Sequence, residues 1–355
     1  MAASVLPKIT HIALNPAWLG QYREEILEPE LPIVDPHHHL WDRGGGYFLD
    51  QLLEDTGSGH NVLATVFVQC GYGYRTTGPE PLRPVGETEF VAGIAREAER
   101  RKLRTRACAG IVGTADLTLG DKVVEVLVAH IEAGGGRFKG IRHITSRHEA
   151  FDASLLPRPP ARQMADPMFR KGFARLAAMD LSFDAWLYHN QIPELTDLAR
   201  AFPQAPIVLN HFGGPLGVGP YRGKRDEVFP AWLADLRELA KCPNVHVKLG
   251  GLGMVIMGFD FHKEALPPSS ETLASSWRPY VESCVELFGA ERCMFESNFP
   301  VDKAMFSYPV LWNAFKRIAA GVSTAQKSAL FHDTAANFYR LDVQAIRAGD
   351  RRGAE

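Results

Sequence analysis

Residues 31–42 read LPIVDPHHHLWD and concentrate the groups that could do chemistry. Leu31, Ile33 and Val34 lead as a short buried strand into three consecutive histidines. Because a strand alternates its side chains, His37 and His39 share one face and His38 takes the other. Two imidazoles converging at a strand's carboxyl end suit a divalent metal, a polarised carbonyl or a proton relay, since neutral imidazole is both a metal ligand and a near-neutral acid or base. Polar residues end other apolar runs in the same way. Arg142 lies in FKGIRHI with Arg147 beyond it; LSFDAWLY carries Asp184 and Tyr188; His211 follows PIVLN; Lys248 lies in VHVKL; RCMFESN carries Glu296 and Asn298, and Asp302 follows Pro300. An arginine in an apolar strand is costly to bury unpaired, so Arg142 either binds an anion or bridges to Asp184 or Glu296, and Lys248 has the same two options. Gly213 and Gly214 after His211 permit a close backbone approach to a ligand.

Something must bring these strand ends together. Apolar runs of strand length lie at 31–34, 61–70, 106–112, 138–144, 181–188, 206–211, 245–249 and 292–298. Helical periodicity separates or follows them at 87–102, 119–133, 167–179, 193–202, 229–241, 276–288, 308–319 and 323–341. Eight strands alternating with helices predict an α/β fold, a single (β/α)8 TIM barrel whose site lies at the carboxyl ends of the strands. Residues 1–30, with Pro7, Pro16 and Pro29, read as an amino-terminal arm, 31–341 as the barrel and 342–355 as a tail. Long βα loops at 43–60, 71–86, 145–166, 212–228 and 250–275 carry the specificity. His143 and His246 are read as packing residues.

Composition narrows the partners. A formal net charge of -2 offers no basic stripe for nucleic acid or a membrane surface, so a small molecule is the expected partner. The five cysteines are dispersed and odd in number, which argues against a disulfide framework or a zinc–thiolate site. With no basic leader or membrane-length apolar run, a cytoplasmic protein is expected, and a homo-oligomer is left open.

The DPHHHLWD, VLNHFGGP, RCMFESNFPVD and FHDTAANFYRL segments together resemble the amidohydrolase superfamily, specifically the amidohydrolase-related group that includes dicarboxylate and sugar lactonases. The resemblance implies a hydrolase acting on a lactone or related carbonyl bond of a small carboxylated, anionic molecule, with His37, His39, His211 and the Asn298 position in the catalytic site, to which Asp302 is added from its place after Pro300. It also implies lactonases that use no metal and polarise the substrate with arginines, which Arg142 and Arg147 suit; Tyr188 and Lys248, read from their strands, complete the expected substrate-binding set. The family's strand-eight aspartate is here Asn298, an amide that neither takes a proton from water nor binds a divalent cation well. The implied cofactor is therefore one divalent metal at most, zinc first, held by His37 and His39, or none. Glu296, one layer deeper than Asn298, and Asp302 are carboxylates that could compensate. A metal-dependent decarboxylase and a non-catalytic ligand-binding barrel are the alternatives.

Overall fold

The structure is a computed structural model that describes residues 12–153 and 158–342. Eight parallel strands pair in sequence order: β1 Pro32–His38, β2 Asn61–Val68, β3 Arg106–Gly113, β4 Phe138–Ile141, β5 Ser182–Ala185, β6 Ile207–Leu209, β7 Val245–Leu249 and β8 Cys293–Phe295. Beyond β8 the chain returns to β1, where the Asn298 N–H donates to the His37 carbonyl (2.9 Å) and the His39 N–H to the Phe299 carbonyl (2.7 Å). The result is the (β/α)8 barrel anticipated from the alternation of runs.

Local chemistry explains the elements. β2, NVLATVFV, is β-branched and buried along its whole length, as a strand covered on both faces must be. The helix Pro167–Ala178 begins at Asp166, whose carboxylate accepts the N–H groups of Met168 and Phe169, with Pro167 in the first turn. Two helices begin earlier than periodicity alone suggests. Arg225–Ala240 and Ser270–Phe288 start before Pro230 and Pro279, and the Ser269 hydroxyl caps the second. Each proline removes one internal hydrogen bond, while Leu273, Trp277, Tyr280 and Val281 remain buried along the helix face.

The strands β4, β5, β6 and β8 are shorter than their apolar runs, so Arg142, Asn210, His211 and Glu296 fall just past the last ladder pair. That is where a barrel presents side chains to a ligand. Val34, Ala64, Val66, Val208 and Met294 form a small apolar cluster with Phe338, Tyr339 and Leu341, so the carboxyl-terminal segment plugs the barrel interior. Residues 12–30 run over the outer helices, where the Lys316 ammonium donates to the Leu27 and Glu28 carbonyls. Residues 1–11 of the arm, 154–157 of the fourth loop and 343–355 of the tail lie outside the described residues. Among the described residues no helix is long and apolar enough to cross a membrane.

Candidate active site

Three of the polar strand ends meet at one carboxylate. His211 Nδ1 lies 2.6 Å from Glu296 Oε1, and His37 Nδ1 lies 2.7 Å from Glu296 Oε2. The His37 and His211 rings are 4.5 Å apart although their strands are far apart in sequence. All three side chains are buried. Room for them comes from β7: a Cβ on Gly250 would strike Glu296, and one on Gly251 would strike the His211 ring. His211 and the following Phe212 both take left-handed backbone at φ 54° and 57°, a conformation costly for such residues that turns the histidine inward. Gly213 and Gly214 have another use than the expected one. Their α-carbons face Leu209, Ile192 and the Leu187 carbonyl, so they permit close packing against protein rather than a ligand.

Burial decides the charge state. Glu296 is pushed up from 4.5 to about 8, first by burial, with Lys248 opposing. His37, His39 and His211 are all held well below 6.5, first by burial and then by nearby cations, Lys248 and Arg142 for His37 and His211 and Arg142 for His39, so each is a neutral imidazole near pH 7. A neutral imidazole has one lone pair, and two cations compete for that of His37. Arg142 Nη1 lies 3.3 Å from Nε2, and Lys248 Nζ lies 3.3 Å from Nδ1. Each ring nitrogen of His37 thus faces a group that can only donate, and only the nitrogen without the proton can accept.

Arg142 is buried with neutral partners. Its guanidinium donates to the Gln69 carbonyl and to Gln69 Oε1 (2.8 and 3.1 Å). Neither expected carboxylate pairs with it; Asp184 instead accepts from Lys248 Nζ (2.7 Å), Tyr339 Oη (2.9 Å) and Asn210 Nδ2 (3.0 Å). A guanidinium buried without an anion is positioned for negative charge brought or developed by a substrate.

The remaining expected residues separate. The His39 ring centroid is 4.9 Å from that of His37, but His39 stacks on Trp41, and its Nδ1 lies 2.7 Å from the Val68 carbonyl. A carbonyl can only accept, so Nδ1 carries the proton and Nε2 the lone pair. Tyr188 is buried one row behind the histidines, against Trp186, whose indole contacts His211 edge-on at 4.8 Å. The Arg147 guanidinium is held in its loop by Glu149 and the Pro159 carbonyl. The Lys248 ammonium reaches Asp184, the Pro36 carbonyl (2.9 Å) and His37 and lies over the Tyr339 ring, so its contacts are within the protein. Glu296, treated from sequence only as a compensating carboxylate, is the hub. The signal that could have singled it out was its place directly after the apolar RCMF run, opposite the paired glycines 250 and 251.

Asn298 Nδ2 donates to Asp302 Oδ1 (2.8 Å), and the Gly253 N–H donates to Oδ2 (2.9 Å). Asn298 Oδ1 is buried without a hydrogen-bond partner among the described residues. Replacing Asn298 by Asp would set two carboxylates against each other and remove a donor. The expected result is a loss of roughly 1–3 kcal/mol of stability at pH 7 in chelator, read by denaturant unfolding and shrinking as pH falls and the two acids share a proton. Unchanged stability across pH would show that Asn298 does not donate to Asp302.

Among the described residues, His37, His211 and Glu296 are the one group of donors close enough to hold a metal ion, within 4.8 Å of one another. Two imidazoles and a carboxylate match a catalytic zinc donor set in type and number. Glu296 Oε2, buried without an aligned hydrogen bond despite its closeness to His37, keeps a lone pair for such an ion. His39, expected as a ligand, is not in the group, and the carboxylate stands in its place.

Comparison with known proteins follows the geometry. A family model described as Amidohydrolase matches residues 34–341. An uncharacterized protein, y4mH, of Sinorhizobium fredii is 35% identical over 88% of this chain and 99% of its own length. The L-fucono-1,5-lactonase of Burkholderia ambifaria is 27% identical over 87% of this chain and 96% of its own. Among solved structures, an amidohydrolase from Burkholderia multivorans with bound zinc superimposes with a TM-score of 0.67 at 24% identity, covering 87% of this chain and 99% of that one. That structural likeness speaks to the fold.

Proposed function

Because the chain belongs to the amidohydrolase family, whose model spans residues 34–341, we propose that it hydrolyses a lactone at the strand ends where His37, His211 and Glu296 meet. The observation that carries the reading is Arg142, a buried guanidinium without a carboxylate partner beside a neutral histidine cluster. Attack of water on a lactone carbonyl places negative charge on one oxygen, and a preorganised cation at that oxygen stabilises the transition state more than the ground state. His39 Nε2 takes the proton from the attacking water. Arg142 disfavours a lasting charge on His39, so the proton passes on to the ring oxygen as it leaves. The product is a hydroxy acid. A divalent ion held by His37, His211 and Glu296 would polarise the carbonyl and acidify water at the site.

One spare guanidinium suits one developing negative charge. Arg147 is paired with Glu149 and Lys248 with Asp184, so of the three basic residues singled out from the sequence only Arg142 has no carboxylate partner among the described residues. This favours lactones that carry few or no carboxylates, and the lactonase relative, named for a sugar lactone, points the same way.

The test is a panel of aldono-1,5- and 1,4-lactones and a pyrone dicarboxylate, followed by pH-stat with and without added zinc. The expected result is one equivalent of acid for each lactone consumed. Carbon dioxide release from an aromatic carboxylate without lactone turnover would favour the decarboxylase reading. Saturable binding with no turnover of any substrate would favour a ligand-binding barrel.

A further inference from the structure

The residue that holds Arg142 has a polar group to spare. Gln69 follows β2 directly, at the rim beside the histidines of β1, and is buried. Its backbone N–H donates to the Val112 carbonyl (2.8 Å), and its carbonyl accepts from Arg142 Nη2. Its side-chain Oε1 accepts from Arg142 Nη2 and Nε at 2.8 and 3.1 Å. The amide nitrogen Nε2 alone is buried without a hydrogen-bond partner among the described residues. Chemistry fixes which end of the amide this is: a guanidinium only donates, so the atom against it is the oxygen and the other is an NH2 donor. Turning the amide over would set donor against donor. Buried donors rarely go unmatched in native chains, and one at an active-site rim calls for a partner.

Anchoring alone does not explain a glutamine. A glutamate would hold Arg142 as well and would neutralise the buried cation; glutamine leaves the charge for the substrate and adds a donor beside it. Oε1 and Nε2 share one carbon, so Nε2 lies next to the guanidinium edge made by Nε and Nη2. The other end, Nη1, faces His37 Nε2 at 3.3 Å and has a second hydrogen for the lactone carbonyl. Nε2 therefore serves a different oxygen from the one that Arg142 polarises, and as a neutral donor it matches a neutral oxygen. The geometry points to Gln69 as a substrate-binding residue that sets specificity: Nε2 donates to a hydroxyl oxygen of the lactone near its carbonyl, while Oε1 keeps Arg142 aimed at that carbonyl. The substrate class is then a hydroxylated, sugar-type lactone rather than a plain aliphatic one, an inference that rests on the proposed lactone reaction.

The test is a cycle of substrates against variants. Single hydroxyls of an aldono-1,5-lactone are replaced by hydrogen, and kcat/KM of each deoxy lactone is divided by that of the parent. In the wild type the ratio should fall about 10–100-fold at one position, where a buried donor loses its acceptor. In Gln69→Met, similar in length but without the amide, that ratio should return to within about twofold of unity while the others keep their wild-type values. Each ratio is taken within one protein, so a general loss from a displaced Arg142 cancels. A Gln69 that only anchors Arg142, or that donates only to a bound water, would lower all lactones alike and leave every ratio unchanged. That result, or a wild-type profile with no responsive position, would overturn the inference. If Gln69→Met does not fold, Gln69→Glu is scored instead, since it keeps an acceptor for Arg142 but turns Nε2 into an oxygen. The O-methyl ether at the responsive position can only accept, so against its parent it should be disfavoured about tenfold more than in the wild type; an unchanged preference would refute the role. A chain that turns over no lactone would overturn the proposed reaction, while the same ratios, taken from calorimetric Kd values of the matching 1,5-anhydroalditols, would still decide the role of Gln69.

Discussion

Glu296→Gln is expected to lower kcat on a lactone by about a thousandfold, while the protein becomes progressively more stable than wild type as the pH is raised. Both halves come from one carboxylate buried between two imidazoles. Glutamine keeps the volume but puts an NH2 where Glu296 has a second carboxyl oxygen and cannot ionise, so one of the two imidazoles loses its carboxyl partner and any ion loses its anionic donor. Losing a carboxylate that fixes a catalytic histidine costs about 10²–10⁴ in rate. The stability half follows from linkage. Glu296 ionises at about 8 in the folded protein against an ordinary 4.5, so between those values the folded chain keeps a proton that the unfolded chain releases. Wild-type stability therefore falls as pH rises through that window, by a few kcal/mol at most. The Gln variant has no such proton. Its stability relative to wild type should climb from pH 5 to pH 9, with the change complete above pH 8, in denaturant titrations run in chelator. A pH-independent difference would mean that Glu296 ionises normally, and full activity would remove it from the reaction.

Arg142→Met should lower kcat/KM about 10²–10³-fold, the usual result of removing one preorganised donor from a developing oxyanion. Arg142→Lys should recover less than tenfold of that. The native guanidinium reaches the Gln69 carbonyl, Gln69 Oε1 and His37 Nε2 at once, which needs the planar fork of arginine. A lysine keeps the charge but not the three directions. Methionine removes a buried charge with no carboxylate partner among the described residues but leaves the buried Gln69 acceptors unpaired, so the thermal midpoint should fall modestly while the fold is kept. Kinetics and unfolding measured side by side separate the outcomes. If activity falls only as the protein unfolds, or if lysine restores it, Arg142 belongs to the scaffold rather than to the transition state.

Much of this was legible in the chain. Eight apolar runs separated by helical periods specify a barrel because each run must be covered on both faces, and the strand ends then share one rim. Period two placed His37 and His39 on one face of β1, and the apolar runs marked Arg142, His211 and Glu296 as rim residues. Parity could not say that His37 would meet Glu296 while His39 turned to the Val68 carbonyl and Trp41, since both histidines have the same parity. Nor could it tell Arg142, left without an anion, from Lys248, sealed against Asp184, or foresee that the Arg147 guanidinium would turn to Glu149 within its own loop. Lys248 and Asp184 lie on β7 and β5, with β6 between them, and Tyr339 comes from the last turn of the described chain. Periodicity is a local property, fixed by a residue and its near neighbours. Which charge meets which across a barrel depends on how the strands stagger as the sheet closes and on where the carboxyl-terminal segment enters, and both are settled only when distant parts of the chain pack together.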